Sequence, residues 1–345
     1  MSLLDTIAQV EAETKQAATR PLPRPNGAFS ILNPNLQLYW DSTSLGALET
    51  CPQYYDYTIR QGLIPRGLEK VDLFFGRMYQ LGRELYDRAR ASGIEHEQAV
   101  LSMVRSILIA TWDKRLGRPW TSDDPTKTRE TLIRALVWYH DQFADDDLET
   151  VILATGEPAV EHSFRFSTGI ESTDGEDFWL CGHLDRVARS RATGRKAIID
   201  HKTTRGQIGS AYFERYSPDT QVSIYDIAGE VAMHEPIPDF IIDVAQLGAT
   251  FARFQRGVIH RTPAQRDEWW AHFGIKMLEA QIYARTNTWP QNPKACNAYS
   301  SYNEDFDRWI RGCPFKPVCG ADPAVRPAIL AAAYDRRVWD PTQPR

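Results

Sequence analysis

Long apolar runs, cysteine and an excess of positive charge are all scarce in this sequence of 345 residues. No stretch approaches the roughly 18 consecutive apolar residues that cross a bilayer. Residues 1–15 also hold no apolar segment long enough for a secretion signal. We therefore expect neither a membrane segment nor export, and predict a cytoplasmic protein in which the five cysteines are thiols or metal ligands rather than disulfides.

The charge balance excludes one class of nucleic-acid-binding protein. Forty basic residues stand against 45 acidic ones, and the formal net charge is −5. Proteins that bind nucleic acid through bulk charge carry a strong basic excess instead. Any contact with a polyanion must therefore come from a local basic surface or a bound cation. Hydrophobic residues make up 42% of the chain, which is enough for a buried core and excludes wholesale disorder.

The spacing of apolar residues changes near residue 150. Before it, apolar residues recur every three or four positions, as in helices at 72–112 and 128–143, whereas after it they alternate with polar residues, as in strands. The predicted organisation has four segments: an N-terminal helix and proline-rich arm (1–38), a helical part with the first cysteine (39–150), a strand-rich core (151–290) and a cysteine-rich tail (291–345).

Two carboxylates and a lysine form the strongest chemical signal. Asp185 lies in Gly-His-Leu-Asp-Arg, while Asp200 and Lys202 lie in Ile-Ile-Asp-His-Lys-Thr-Thr. Side chains alternate along a strand, so Asp200 and Lys202 share a face, and Asp185 joins them if the two strands form a hairpin. Neighbouring carboxylates repel unless a cation lies between them, which favours Mg2+ or Mn2+. The structural alternative is a strand-end ion pair.

A second element follows on the next predicted helix. Gln221 and Tyr225 are four residues apart and therefore share one helix face, from which both could reach a phosphate or the lysine. A metal ion beside these groups would acidify a water and neutralise phosphoryl charge, with the lysine orienting the nucleophile. The combination predicts phosphodiester hydrolysis.

The order Gly-x-x-Asp-Arg, Ile-Ile-Asp-x-Lys-Thr and Gln-x-x-x-Tyr resembles the PD-(D/E)xK nuclease superfamily, in its RecB-like branch, over most of residues 42–320. The resemblance implies an α/β fold with a restriction-endonuclease-like core, in which a mixed central sheet is flanked by helices. It also implies that Asp185 and Asp200 bind the metal, that Lys202 is the catalytic lysine, and that Gln221 and Tyr225 complete the site.

One upstream position departs from the family pattern. Family members usually carry Gly-x-x-x-His there, but this chain has Gly76 followed by Gln80. The carbonyl oxygen of Gln80, or Glu84 one turn later, could replace the imidazole as a metal ligand. The alternative is that Gln80 is merely polar and that one ion binds weakly. Glu157 and Glu161 precede the next strand and face either the site or solvent.

Four of the cysteines form a separate pattern, with one early in the chain and three late: Cys51, Cys296, Cys313 and Cys319. Four thiolates can hold a 4Fe-4S cluster or a zinc ion. The arrangement resembles the iron-sulfur nuclease subgroup that includes AddB and the CRISPR-adaptation nucleases, which implies a cluster. Sixteen residues, 297–312, separate the second and third cysteines, where the family usually has two. Cys181 is predicted to be a small core residue.

Basic residues crowd the hairpin between the two acidic strands, namely Arg186, Arg189, Arg191, Arg195 and Lys196. A DNA backbone needs such charges near the scissile phosphate. Solvated charges are equally common at a hairpin tip, and the sequence leaves both interpretations open.

These observations together predict a Mg2+- or Mn2+-dependent DNA exonuclease in recombination, repair or phage DNA processing. The chain has no Walker loop, so a helicase or another recombination protein would be its partner. A non-catalytic DNA-end-binding or scaffold module of the same fold is the alternative, because Gln80 replaces the expected histidine.

Overall fold

The computed structural model describes residues 27–66, 71–298, 300–303, 308–311 and 313–343. The helix predicted within residues 1–20 lies outside these ranges. The helices are α1 (Ser42–Thr50), α2 (Pro52–Tyr55), α3 (Val71–Ala91), α4 (His96–Ala110), α5 (Arg129–Gln142), α6 (Ser210–Glu214), α7 (Thr220–Met233), α8 (Pro263–Thr286), α9 (Pro293–Ala298), α10 (Lys316–Cys319) and α11 (Arg326–Ala333), and a π-helical segment spans Asp56–Arg60. The strands are β1 (Tyr39–Trp40), β2 (Leu63–Pro65), β3 (Trp112–Asp113), β4 (Arg118–Pro119), β5 (Leu148–Thr150), β6 (Val160–Glu171), β7 (Asp177–Ser190), β8 (Lys196–Thr204), β9 (Asp239–Leu247), β10 (Ala252–Ile259), β11 (Ser300–Asn303), β12 (Arg308–Arg311) and β13 (Tyr334–Arg336).

The helical pattern at 72–112 forms two helices rather than one. Gly93 follows α3 with a left-handed φ of 81°, and this conformation ends a helix at little cost only for glycine. The chain then restarts as α4 at His96. The apolar spacing therefore predicted the helical state correctly but missed the break.

The described residues of the chain divide into two compact units. Unit one comprises those in Met1–Leu68, Ser167–Leu180 and His272–Gln343, and unit two comprises those in Glu69–Phe166 and Cys181–Ala271.

A mixed sheet forms the centre of unit two. Its strand order is β7-β8-β9-β10, with β7 and β8 antiparallel, β8 and β9 parallel, and β9 and β10 antiparallel. Strand β5 pairs with the end of β7, and β6 also pairs with β7. The two strands that carry the acidic motifs, β7 and β8, therefore form the hairpin that the sequence pattern required.

Helices cover both faces of this sheet. On one face, α3, α4 and α5 pack in a core that includes Ala245 and Leu247 of β9. On the other face, α7 packs so closely that a Cβ atom on Gly229 would lie 2.4 Å from Cδ1 of Ile198. The predicted mixed α/β fold, with a central sheet flanked by helices, is confirmed.

A buried charged network lies on the α3–α5 face of the sheet. Arg83 is fully buried, and its guanidinium lies 3.2 Å from Oδ2 of Asp243. Arg256 also pairs with that oxygen at 3.2 Å, and the hydroxyl of Tyr139 donates to it. Because an unpaired charge in such a position is costly, the network fixes α3, α5, β9 and β10 relative to one another.

Unit one brings early and late parts of the chain together. Its β2 and β13 pair antiparallel, with Leu63 opposite Arg336. A small core of Tyr57, Leu63, Phe315, Val318 and Tyr334 packs beside this pairing. Helix α1 begins at the N-cap Asp41, whose side chain accepts a hydrogen bond from Ser44 N at 2.9 Å, so the predicted cap at 42–44 is displaced by one residue. Over the described ranges, every helix is too short or too polar to cross a membrane.

Acidification is expected to destabilise unit two through His140, which is buried and stacked on Tyr86. Burial, together with the charges of Arg83 and Arg186, lowers the pKa of His140 well below its usual value. Below about pH 6.5 the unfolded chain therefore binds a proton that the folded chain excludes, and stability falls by up to about 1.4 kcal/mol per pH unit. Urea unfolding from pH 7 to 5 should show a shallower decline for His140→Phe than for wild type. From pH 7.5 to 8.5 the free energies of unfolding of the two proteins should change with pH in parallel. If His140→Phe loses stability between pH 7 and 5 as steeply as wild type, His140 is not the cause of the acid destabilisation.

Candidate functional site

Asp200 and Lys202 lie side by side on one face of β8. The Lys202 ammonium is 2.7 Å from Oδ2 of Asp200, whose carboxylate is almost completely buried. Asp200 lies opposite Ile242 in the parallel β8–β9 register, and the neighbouring Ile198 contacts α7 on the same face. His201 lies between the two in sequence, and its side chain is buried on the opposite face, near Arg83 and His140. The alternation predicted from the sequence therefore holds at the site.

Asp185 reaches the same place from β7. The register pairs Arg186 with Ile199, which brings Asp185 next to Asp200. Oδ2 of Asp185 accepts a hydrogen bond of 2.8 Å from the backbone N–H of His201, between the two β8 residues of the site. The structure thus brings together, in unit two, the two predicted metal ligands and the predicted catalytic lysine.

Helix α7 contributes a glutamine that contacts Asp200 and Lys202. The helix begins after the N-cap Asp219, whose side chain accepts a hydrogen bond from Val222 N at 2.9 Å. Gln221 therefore lies in the first turn of the helix. Gln221 Oε1 accepts from the Lys202 ammonium at 3.0 Å, while Gln221 Nε2 lies 3.3 Å from Oδ1 of Asp200. Gln221 therefore contacts both members of the Asp-x-Lys motif at once.

Tyr225 lies one turn later on the same face of α7. Its ring is buried and packs edge to face against Phe164 at 5.9 Å. Burial and the two nearby aspartates raise the pKa of its hydroxyl, while a hydrogen bond with Gln221 opposes this rise. The Gln-x-x-x-Tyr spacing therefore brings both side chains to the carboxylates.

The carboxylates hold protons more strongly than free aspartate. Burial raises the pKa of Asp185 well above its usual range, and the neighbouring Asp200 and Glu161 raise it further. Burial also raises the pKa of Asp200, against the opposing effect of Lys202. A divalent cation would favour the ionised forms, so its binding would release protons.

The surroundings of Lys202, unlike those of the aspartates, favour its charged form. Burial alone would lower the pKa of its ammonium, but the attraction of Asp200 and Asp185 outweighs burial and raises the pKa above its usual value. Lys202 is therefore a cation and a hydrogen-bond donor at neutral pH.

Of the two residues predicted to replace the family histidine, the structure brings one to the site. Gln80 of α3 donates from Nε2 to Oδ1 of Asp185 at 2.8 Å and to Oε1 of Glu161 at 2.6 Å. Glu84 instead pairs with Arg88 on its own helix at 2.8 Å. The sequence left open whether Glu157 and Glu161 face the site or solvent. The structure buries Glu161, with Gln80 between it and Asp185, while Glu157 is exposed.

The four cysteines predicted to act together line one cavity of about 190 Å3 in unit one. Burial and the neighbouring thiols raise the pKa of Cys313 and that of Cys319 to about 11 each. Two sulfur atoms accept backbone N–H groups: Cys51 Sγ from Asn292 at 3.3 Å, and Cys313 Sγ from Phe315. Cys181 is buried in β7, in unit two.

The basic hairpin residues all contact acceptors within the protein. Arg186 is buried and donates to Thr150 Oγ1 at 3.0 Å and to the carbonyl of Leu148 at 2.9 Å. The other pairs are Arg189 with Glu149, Arg191 with the carbonyl of Asp146, Arg195 with Asp239, and Lys196 with Glu235. Arg189 follows Asp185 by four strand residues, or about 13 Å. Their role in DNA binding stays a prediction.

In the ranges that the structure covers, no group of three or more His, Cys, Asp or Glu side chains is already arranged to hold a metal ion. At the carboxylates, the donor groups of Gln80, Gln221 and Lys202 contact the oxygens that would ligate a cation. The oxygen-rich donor set itself fits a hard divalent ion, and the four-thiol set fits a cluster or zinc.

Comparison with known proteins agrees with the motif pattern. The model of the PD-(D/E)XK nuclease superfamily matches residues 42–320. Among solved structures, the chain is similar to a protein described as "Putative exonuclease" from Eubacterium rectale, with 10% identity, a TM-score of 0.41, and coverage of 88% of this chain and 99% of that one. It is also similar to SSO0001, with 13% identity, a TM-score of 0.27, and coverage of 63% and 78%. No curated protein matches significantly.

Proposed function

Since the chain belongs to the PD-(D/E)XK nuclease superfamily, we propose that it is a metal-dependent deoxyribonuclease that degrades DNA from its ends. One observation carries this proposal: Asp185, Asp200 and the Lys202 ammonium converge on one face of the sheet, where Gln221 contacts both residues of the Asp-x-Lys motif. Two carboxylates and a cation in one buried place are costly for stability, which favours a functional rather than a structural role.

Asp185 and Asp200 are the residues that would hold Mg2+ or Mn2+. Such an ion supplies a more acidic water and neutralises charge that develops on the phosphoryl oxygens. Both residues offer carboxylate oxygens, which are the ligands that these hard cations prefer.

Lys202 would act as a donor to the substrate. Because its pKa is raised, the ammonium persists at neutral pH and donates to a phosphate oxygen or to the attacking water. Gln221 holds this ammonium at 3.0 Å and so fixes its direction. Tyr225, hydrogen-bonded to Gln221, limits the rotation of the amide.

The finer classification belongs to the same proposal. We assign the chain to the RecB-like branch and its iron-sulfur subgroup, with a 4Fe-4S cluster, or alternatively zinc, on the four cysteines. The shared cavity and the N–H groups directed at two sulfur atoms support this assignment. A place in recombination, repair or phage DNA processing, beside a helicase or recombination partner, rests on the resemblance alone.

A non-catalytic DNA-end-binding module is the second candidate. The contacts of Gln80 favour it, because the amide nitrogen, which cannot ligate a metal ion, faces Glu161 and Asp185 at the position of the family histidine. In that case the fold would bind DNA ends but would not hydrolyse them.

Degradation of matched linear and circular DNA distinguishes the two candidates. We expect Mn2+- or Mg2+-dependent loss of linear DNA, no loss of covalently closed circles, and no activity in chelator. Asp200→Asn should reduce the rate by at least about 100-fold, because the substitution keeps the shape of the side chain but removes the charge of a proposed metal ligand. Asp123→Asn, at an exposed position of the same unit, is the control and should match wild type. Tight binding of ends without degradation would favour the second candidate.

A further inference from the structure

Glu161 lies at the beginning of β6, outside the three motifs that carry the family resemblance. Its φ angle is 49°, in the left-handed region that residues other than glycine seldom adopt. Its side chain is only 7% exposed although it is a carboxylate. The backbone therefore turns a charged side chain inward at a position where the flanking strand alone would not place it.

The amide of Gln80 joins this carboxylate to Asp185, one of the two proposed metal ligands. Gln80 Nε2 is within hydrogen-bond distance of Glu161 Oε1 and of Asp185 Oδ1, at 2.6 and 2.8 Å. Both contacts are made by the nitrogen of the amide, which donates, and the carboxylate oxygens accept. One neutral side chain thus holds together two groups that repel each other.

Three carboxylates are buried in this part of the molecule, those of Glu161, Asp185 and Asp200, and Lys202 pairs with Asp200. Carboxylates that are buried close together repel one another. A divalent cation bound by their oxygens offsets this repulsion.

We propose that Glu161 is a third carboxylate ligand of the divalent-cation site, and that Gln80 is a positioning residue that holds Glu161 and Asp185 together before the cation binds. This inference rests on the proposed function, because it takes Asp185 and Asp200 as ligands. The sequence analysis predicted that the carbonyl oxygen of Gln80 replaces the family histidine as a metal ligand. In this proposal the ligand oxygen comes from Glu161 instead, and the amide nitrogen of Gln80 holds the carboxylates in place.

Calorimetric titration of the full chain with Mn2+ alone tests the role of Glu161. Glu161→Gln keeps the shape of the side chain and removes its charge, so the dissociation constant for Mn2+ should rise at least ten-fold. Glu157→Gln makes the same chemical change at an exposed position in the same segment and should stay within two-fold of wild type. Equal Mn2+ affinity for Glu161→Gln and wild type would overturn the assignment.

Gln80→Met tests the positioning role of Gln80 independently, and this test does not require that Glu161→Gln folds. Without the amide, the carboxylates repel in the metal-free protein, and the melting temperature in chelator should fall. Added Mn2+ replaces the missing donor, so it should raise the melting temperature of Gln80→Met by more than that of wild type. If the melting temperature of Gln80→Met is lower than that of wild type by the same amount with and without Mn2+, the role of Gln80 is merely structural and the proposal is contradicted.

The outcome also separates this inference from the proposed function. If wild type binds Mn2+ and degrades DNA while Glu161→Gln binds Mn2+ equally well, the third ligand is wrong and the nuclease stands. If wild type binds no Mn2+, both proposals fall.

Discussion

Lys202→Met is expected to reduce DNA hydrolysis on the order of 1,000-fold while leaving Mn2+ binding at least as tight as in wild type. The ammonium contacts Asp200 and Gln221 and is held protonated by the two aspartates, so it would contribute a fixed positive charge to a phosphate bound at the proposed metal site. Loss of a preorganised donor to developing charge costs about 100- to 1,000-fold. Removing a cation next to the metal position relieves repulsion and does not weaken metal binding.

Initial rates on end-labelled linear DNA and calorimetric titration with Mn2+ measure the two effects separately. Methionine preserves the apolar stem of the lysine, so packing changes little. Lys276→Met, which removes a surface lysine paired with Glu279, is the matched control and should retain full activity. Activity of Lys202→Met within ten-fold of wild type would contradict the assigned role.

Cys51→Ser is expected to abolish binding of the cluster or zinc ion that we propose for unit one, and to lower the melting temperature by on the order of 10 °C. The cysteine belongs to the early segment, while the other three thiols of the cavity belong to the late one. A metal group held by all four would crosslink these segments, and structural metal sites contribute about 10 kcal/mol or more of apparent binding free energy. Loss of one ligand opens that link.

Iron, zinc and acid-labile sulfide should be quantified on anaerobically purified protein, together with thermal unfolding. Equal iron and sulfide in wild type would identify a cluster, and zinc without sulfide would identify a zinc site. Cys181→Ala is the matched control, since this cysteine lies in β7 of the other unit and should keep full metal content. Wild-type metal content in Cys51→Ser would refute four-thiol ligation.

The convergence of the candidate site residues could be predicted from the sequence because it depends on simple periodicities. Asp200 and Lys202 share a face through the two-residue repeat of β8, and Gln221 and Tyr225 share one through the helical repeat of α7. The hairpin that adds Asp185 required only that adjacent strands pair, as β7 and β8 do.

What the sequence missed depends on backbone angles and on contacts between distant residues. The inward turn of Glu161 follows from a left-handed φ that no residue type at that position announces. Whether the nitrogen or the oxygen of Gln80 faces the site depends on acceptors 81 and 105 residues away. The hairpin cation Arg186 could not be recognised as internally paired, because its acceptors Leu148 and Thr150 lie on a strand whose pairing was not predicted.

Anomalous diffraction from crystals grown with Mn2+ tests the shared metal site of Asp185 and Asp200 most directly. The account predicts a strong peak about 2.2 Å from an oxygen of each aspartate, with the Lys202 ammonium nearby but not ligating. A protein that takes up Mn2+ only at other positions, or whose peak contacts just one of the two aspartates, would contradict it.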